Sequence, residues 1–340
     1  MKTNKKIGFA VVGLGAIAQG SVLPAFHHAK RAKLVALVSR EKRKAEKLAR
    51  KFKANAAYST DEFAACLANP EVDAIYLATP QGEHLSATLA AARAGKHVLS
   101  EKPLALNSAQ SAEMIKVCES CGVQLMTAYR KYYEPSSLFL KSLIQSGKLG
   151  KLDMLHTAFS EVHVPGRSLA WLLDAKVSGG GPLMDLGVYC INTSRWLVEE
   201  DPAEVTAHSW KKDAARFHDV EEGLSFHLNF RSGLIVQAST TYSSVLSSFI
   251  FVQGDQGWAC LTPAFPFDEE RRLTGKINGK WFERKFKIVD EFAPELDAFA
   301  RAIQAGKPVE PDGRQGHRDM LILEAIYESA RKNQPVAVRY

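Results

Sequence analysis

The sequence predicts an α/β chain of two domains: a doubly wound parallel sheet, then an α+β domain on a largely antiparallel sheet. Three observations predict it. Short, wholly apolar runs alternate with helix-length stretches over the first third, a glycine-rich turn closes the first run, and after about residue 129 strand-like runs follow one another with turn signals between them. The 340 residues, 46% hydrophobic and 24% charged, suffice for two domains with sizeable cores, and that balance excludes disorder and collagen-like or low-complexity organisation.

Residues 6–13 read as a strand, 16–29 as a helix, 33–39 as a strand, 42–53 and 61–68 as helices, and 74–78 as a strand. A helix over 84–94, a strand over 97–100, a helix over 108–121 and a strand over 124–128 complete the first domain, 1–128. Strands that are apolar throughout are buried on both faces, which helices on either side of a parallel sheet provide. The second domain, 129–340, opens with a helix over 135–146. Strand-like runs follow at 152–161, 203–210, 222–230, 234–242, 248–253 and 258–261, with Arg231-Ser-Gly233 and Gly254-Asp-Gln-Gly257 as hairpin turns. Helices are expected at 183–199, 291–305 and 317–332, the last placed to pack back on the first domain.

No apolar stretch reaches the roughly 18 residues of a membrane helix. The N-terminus imitates a secretory signal: a basic start, an apolar run from Ile7, and Ala16-Ile-Ala18 like a cleavage site. Cleavage there would delete the first strand, so the fold is expected to begin almost at Met1. Five scattered cysteines, Cys66, Cys118, Cys121, Cys190 and Cys260, suit a reducing compartment, so a cytoplasmic location is expected. Cys118 and Cys121 have redox spacing but sit near a helix C-terminus, where a thiolate is not favoured, and no metal site is expected.

The net charge of +7 concentrates between residues 30 and 53, where eleven Lys and Arg meet only Glu41 and Glu46. With no aromatic interleaving or nucleic-acid module, the cluster points to a small anion rather than to nucleic acid.

That anion is expected to be a dinucleotide. Gly13-Leu-Gly15-Ala16-Ile17-Ala18 lies between strand and helix: Gly13 makes the turn, Gly15 lets backbone approach a pyrophosphate, and Ala16 and Ile17 open the helix that faces it. The second strand ends in Ser39-Arg40, where an NAD enzyme usually carries an acid. A hydroxyl, a guanidinium and Lys44 one turn on suit a 2′-phosphate, so the expected cofactor is NADP rather than NAD. Lys44, Lys47 and Lys51 also read as a solvated helix face.

Thr79-Pro80-Gln-Gly-Glu-His84 leaves the carboxyl edge of the sheet, where ligands of open α/β folds bind; His84 reads equally as a helix-capping or core residue. Glu101-Lys102-Pro103 delivers a lysine at the next strand end, with an exposed loop lysine as the alternative. Gly179-Gly-Gly-Pro-Leu-Met-Asp185-Leu-Gly-Val-Tyr189 sets an aspartate and a tyrosine four apart, on one face of a helix. The pair suits a hydroxyl ligand, or a capped core helix.

Together, Gly13-x-Gly15-x-x-Ala18, Glu101-Lys102-Pro103 and Gly180-x4-Asp185-x-Gly-x-Tyr189 resemble the glucose-fructose oxidoreductase, inositol dehydrogenase and MocA superfamily. Tyr129-Arg130, Gly147-Lys-Leu-Gly150, Phe230-Arg-Ser-Gly233 and Ala325-Ile-Tyr-Glu-Ser-Ala330 resemble its glucose-fructose oxidoreductase branch, and the similarity covers nearly the whole chain. The resemblance implies an N-terminal Rossmann domain, a C-terminal open and mostly antiparallel sheet, and homodimers or homotetramers through that sheet. It further implies nicotinamide-dependent hydride transfer on a sugar or polyol, with Lys102 and Tyr189 as the catalytic pair and Asp185 on substrate. Glu101 and Arg130 join the expected cofactor contacts.

A phenol ionises near pH 10 in isolation, and an ammonium about 4 Å away at an effective dielectric of about 20 favours its anion by about 4 kcal/mol, so a lysine is a fitting partner for a tyrosine base. The expected enzyme is an NADP-dependent aldose dehydrogenase, or a sugar reductase in reverse, that exchanges its cofactor. A sugar-to-sugar oxidoreductase with tightly bound NADP, a non-catalytic sensor of NADP or sugar, and a redox-neutral glycoside-cleaving enzyme are alternatives on the same fold. Sugar choice is expected to rest on loops such as residues 161–176 and on Arg130, Tyr132, His163 and Arg167, four residues that read equally as surface or interface positions.

Overall fold

Six short apolar runs make the first sheet: β1 (Ile7–Val12), β2 (Ala32–Ser39), β3 (Ala56–Ser59), β4 (Ala74–Leu77), β5 (His97–Glu101) and β6 (Leu125–Ala128). The computed structural model describes residues 5–162, 170–245 and 247–340. All neighbours pair in parallel, in the order β3-β2-β1-β4-β5-β6. This is the doubly wound order of a Rossmann domain, and it places the crevice beyond β1, where the chain turns one way to β2 and the other to β4. β1 is buried along its whole length, so the run that imitates a signal peptide is a central strand.

A π-helical turn (Ala18–Val22) and α1 (Leu23–Ala25) follow β1, with α2 (Lys42–Phe52), α3 (Phe63–Ala68), α4 (His84–Arg93) and α5 (Ser108–Ser120) between the later strands. Val12, Val38, Leu77 and Val98 join Ala91, Met114 and Cys118 in one core. Each Val, Leu or Met so buried contributes about 1.5–3 kcal/mol.

The second sheet has nine strands among the described residues, in the order β14-β13-β12-β11-β7-β10-β9-β8-β15. They are β7 (Leu152–Ser160), β8 (Glu204–Trp210), β9 (Gly223–Asn229), β10 (Ile235–Thr241), β11 (Ser247–Gly254), β12 (Gly257–Thr262), β13 (Arg271–Ile277), β14 (Lys280–Phe286) and β15 (Val336–Ala337). Only β7 and β10 run parallel. Burial alternates along β9 and β10, the mark of a sheet covered on one face. Helices α6 (Pro135–Gln145) and α8 (Val188–Val198) pack on it, and the short α7 (Ala175–Ser178) precedes the glycine run.

The chain divides into two compact units, Met1–Arg130 with Asp290–His317, and Lys131–Val289 with Arg318–Tyr340. The returning segment carries α9 (Phe292–Ala305), which packs on β1 and β2 and brings Phe299 within 6.2 Å of the Phe9 ring. Helix α10 (Gly313–Lys332) begins in the first unit and continues in the second. No helix among the described residues is long and apolar enough to cross a membrane.

Some elements differ from expectation. Residues 16–29 and 183–199 are not single regular helices, because each contains a π-helical turn, Ala18–Val22 and Leu183–Gly187. Strands β3, β13 and β14 escaped the apolar-run criterion: β3 is a four-residue, half-buried edge strand, and β13 and β14 carry charge on their open sides. Their hairpin did have a signal, Asn278-Gly279 with φ of 48° and 80°.

Candidate active site

Gly13 has φ of 89°, and a Cβ there would stand 2.5 Å from the Ala78 carbonyl oxygen, so β4 leaves room only for glycine. Gly15 is the opposite case. A Cβ there would meet nothing within 4 Å, and Gly15 and Ala16 are exposed, with Ile17 half-buried behind them. The opening turn of this helix directs main-chain N–H groups into that open space, the arrangement that holds a pyrophosphate.

Beside it β2 ends at Ser39, whose hydroxyl accepts from the Glu41 amide at 3.2 Å. Arg40 is exposed, Lys44 is half-buried, and neither has an ion-pair partner among the described residues. The first turn of α2 carries Lys42, Arg43 and Lys44 and no acid. Only Glu41 at the N-cap offsets these three cations at the positive end of the helix dipole, a setting that favours a further anion. Lys42 alone is neutralised, by Glu62 at 2.5 Å.

Across β1 the Thr79–Glu83 turn presents two buried side-chain oxygens, Thr79 Oγ1 and Gln81 Oε1, with no hydrogen-bond partner among the described residues. Buried polar atoms are rarely left so, and a carboxamide is one group that can satisfy them. Pro80 caps the short 3-10 turn Gln81–Glu83. His84 faces inward: it is fully buried, with Nε2 3.0 Å from the Thr79 carbonyl, Nδ1 3.1 Å from the Leu104 carbonyl and the Ser100 hydroxyl 3.2 Å from Nδ1. Burial pushes its imidazole below the ordinary value. Expected as a cofactor contact, His84 instead ties the Thr79 loop to the chain after Lys102 from behind.

Glu101 and Lys102 end β5. The Tyr76 hydroxyl donates to Glu101 Oε1 at 2.7 Å and the Lys102 amide to Oε2 at 3.3 Å. Burial pushes the Glu101 carboxyl up, against the pull of Lys102 and Tyr76. The Lys102–Pro103 peptide is cis. Arg130, at the end of the first unit, is buried in an ion pair with Glu291 and lies over the Phe292 ring. These glycines, free cations and orphaned oxygens fit a dinucleotide with a 2′-phosphate.

In the second unit the π-helical turn carries Asp185, and Tyr189 follows in the first turn of α8. Tyr189 is 8% exposed, packed 5.7 Å from the rings of both Phe159 and Phe265. The Tyr242 hydroxyl donates to Asp185 Oδ2 at 3.1 Å. Burial and then the Asp185 charge push the Tyr242 phenol far above its ordinary range, so it stays a donor. Glu221 accepts from the amides of Gly181 and Leu183 at 3.0 and 3.1 Å and from the Tyr327 hydroxyl at 3.0 Å. Tyr132, expected near substrate, stacks on Trp196 with centroids 4.6 Å apart. His163 and Arg167 lie outside the described residues. Cys118 is buried and its thiol pushed up to about 12, an inert side chain.

Residues 7–129 match the oxidoreductase family with an NAD-binding Rossmann fold, and residues 138–260 match the GFO/IDH/MocA C-terminal domain. The chain belongs to the GFO/IDH/MocA oxidoreductase family. Within it, the chain is 30% identical over 339 residues to D-xylose 1-dehydrogenase (NADP+) of Haloarcula marismortui, covering 98% of this chain and 94% of that enzyme. A trans-1,2-dihydrobenzene-1,2-diol dehydrogenase of Mus musculus is 31% identical over 261 residues, 74% of this chain and 73% of its own. The crystal structure of aldose-aldose oxidoreductase from Caulobacter crescentus, complexed with glycerol, superposes with a TM-score of 0.93 at 31% identity, covering 98% and 100% of the two chains.

The GFO/IDH/MocA motifs named Lys102, Asp185 and Tyr189 but not the residues that hold them. Tyr242 and Glu221 lie outside every quoted motif. Tyr327 sits within Ala325–Ala330 and was legible only as a helix residue.

Proposed function

We propose that this chain is an NADP(H)-dependent oxidoreductase that moves a hydride between nicotinamide and a sugar, oxidising an aldose at its CH–OH carbon to the lactone or running the reverse reduction. The observation that carries this reading is the full-length likeness, at 30% and 31% identity, to two enzymes named for oxidoreduction of aldoses. Arg40 and Lys44, without an ion-pair partner among the described residues, and the basic first turn of α2 support NADP over NAD.

Gly13, Gly15, Ala16 and Ile17 would hold the pyrophosphate, Ser39, Arg40 and Lys44 the 2′-phosphate, and Thr79, Pro80, Glu101 and Lys102 the nicotinamide side. Bound NADP supplies the hydride acceptor. Tyr189 takes the proton of the reacting hydroxyl, Lys102 stabilises the phenolate charge, and Asp185, oriented by Tyr242, accepts a hydrogen bond from a neighbouring hydroxyl. In reduction Tyr189 returns the proton. Tyr189→Phe lowers turnover by about 10²–10⁴-fold with NADP affinity unchanged, measured by nicotinamide absorbance and fluorescence titration. Near-normal turnover removes Tyr189 from the mechanism.

A second reading, sugar-to-sugar transfer with NADP retained, is favoured by the 0.93 TM-score to the Caulobacter aldose-aldose enzyme. The spectrum of the purified protein with a panel of aldoses separates the two. Reduction of added NADP+ by one sugar supports the exchanging dehydrogenase, whereas a bound nicotinamide reduced by one sugar and reoxidised by another supports retention.

The open face of the nine-stranded sheet supports a homodimer or homotetramer. Trp281, 69% exposed, meets Trp258 at 5.3 Å, and Trp258 meets Phe251 at 5.4 Å, an aromatic row that a second copy would cover. The five unpaired thiols are in keeping with the reducing cytoplasm.

A further inference from the structure

The Thr79 loop and the Lys102 turn are the two halves of the nicotinamide side, and they leave adjacent strands of the first unit. The ladder between β4 and β5 has Leu77 and Ser100 as its last rung. Beyond that rung the two chains meet through a side chain. His84, the first residue of α4, sets Nε2 3.0 Å from the Thr79 carbonyl, and Nδ1 3.1 Å from the Leu104 carbonyl and 3.2 Å from the Ser100 hydroxyl. Ser100 stands two residues before Lys102 and Leu104 two residues after it. One ring nitrogen therefore meets the chain on both sides of Lys102, and the other meets the loop that carries the orphaned Thr79 Oγ1. His84 and Ser100 are both 0% exposed, so water does not compete for these bonds.

An imidazolium would donate to both carbonyls, but burial pushes the ring below its ordinary value, and a neutral imidazole has a single N–H. With the proton on Nδ1, the ring donates to the Leu104 carbonyl, the Ser100 hydroxyl turns to the Glu101 carbonyl 3.3 Å away, and the bond to Thr79 is lost. With the proton on Nε2, the ring donates to the Thr79 carbonyl while Nδ1 accepts from the Ser100 hydroxyl. Only this second form bonds both segments at once. We propose that His84 is a positioning residue for the nicotinamide side, a brace in its Nε2–H form that joins the Thr79 loop to the β5 end and so keeps the loop that receives the nicotinamide in register with Lys102.

The inference rests on the catalytic reading of Lys102 and on the Thr79 loop as a nicotinamide contact. Two variants of the full chain each keep half of the ring. In His84→Gln the side-chain amide N–H reaches the Nε2 position and nothing remains at Nδ1, so the Thr79 bond is kept and the link to the β5 end is cut. Its NADPH affinity, by fluorescence titration, is expected to stay within about twofold while kcat falls about tenfold. His84→Asn fills the Nδ1 position and leaves the Thr79 carbonyl unbonded. It is expected to bind NADPH about tenfold more weakly and to keep kcat at saturating NADP+ within about threefold. Ser100→Ala removes the donor to Nδ1 and should repeat the kcat loss of His84→Gln, with the double variant losing no more than either alone.

A core residue with no positioning role would lower the melting temperature in both histidine variants without separating kcat from affinity. The same pattern in His84→Gln and His84→Asn, or wild-type kcat and affinity in either, overturns the brace. Should neither histidine variant fold, Ser100→Ala decides alone: a lost kcat supports the brace and a wild-type kcat overturns it. Lys102→Met separates this inference from the reading beneath it. If Lys102→Met keeps turnover, the catalytic reading of Lys102 fails and the brace to it fails as well; if Lys102→Met is inactive while His84→Gln and Ser100→Ala turn over as wild type, only the brace fails.

Discussion

Two glycine-rich segments, Gly13–Gly15 in the first unit and Gly179–Gly181 in the second, look alike as sequence and lead into π-helical turns at Ala18–Val22 and Leu183–Gly187. They use glycine for opposite ends. At Gly15 a side chain would enter open space, whereas at Gly180 its Cβ would stand 2.0 Å from the Tyr327 hydroxyl and at Gly181 2.6 Å from the Glu221 carbonyl. The first loop keeps room for a visiting group. The second is already filled by the protein, through Glu221 and Tyr327, and so holds the stretch from which Asp185 and Tyr189 project.

The sharpest way to break this comparison is to add one methyl group to each loop. Gly180→Ala should cost about 3 kcal/mol, since a buried hydroxyl held by Glu221 must move, and should lower the melting temperature with NADP affinity unchanged. In a Tyr327→Phe background, where the nearest clashing atom is gone, the added penalty should shrink by about 1 kcal/mol; a full penalty would place the obstruction elsewhere. Gly15→Val should do the reverse, leaving melting within about 1 °C while weakening NADP about 30-fold, or about 2 kcal/mol, by fluorescence titration. A collapse in stability there would mean that the loop is as full as the other. The smallest expected effect is at Arg40. Arg40→Ala should weaken NADP about tenfold, about 1.4 kcal/mol, and leave NAD unaltered, and equal losses for both would remove Arg40 from the 2′-phosphate site.

The two loops were not equally legible. The Gly13 loop could be read because its requirements are local: a strand before it, a helix after it, and small residues at fixed offsets. The Gly179 loop depends on residues far along the chain, Glu221 and its Tyr327 partner standing 106 positions apart and Asp185 and Tyr242 57 apart. His84 shows the same limit from the other side. A histidine leaving the carboxyl edge of a parallel strand suggests a ligand contact, and only the packing of the Ser100 and Leu104 segments turned its ring inward.

By itself the sequence determined the class of both sheets, the dinucleotide turn and the basic end of β2, since strands buried on two faces are apolar runs, a close backbone approach demands glycine, and a missing acid is visible in the letters. Tertiary structure decided what surrounds those residues: the strand order, the return of α9 to the first unit, the grip of Tyr242 on Asp185, and the hold of Tyr327 on Glu221. The reason is physical. Periodicity and turn chemistry act over a few residues, whereas a hydrogen bond or a buried charge depends on which distant segments the fold brings together, and no local pattern records that.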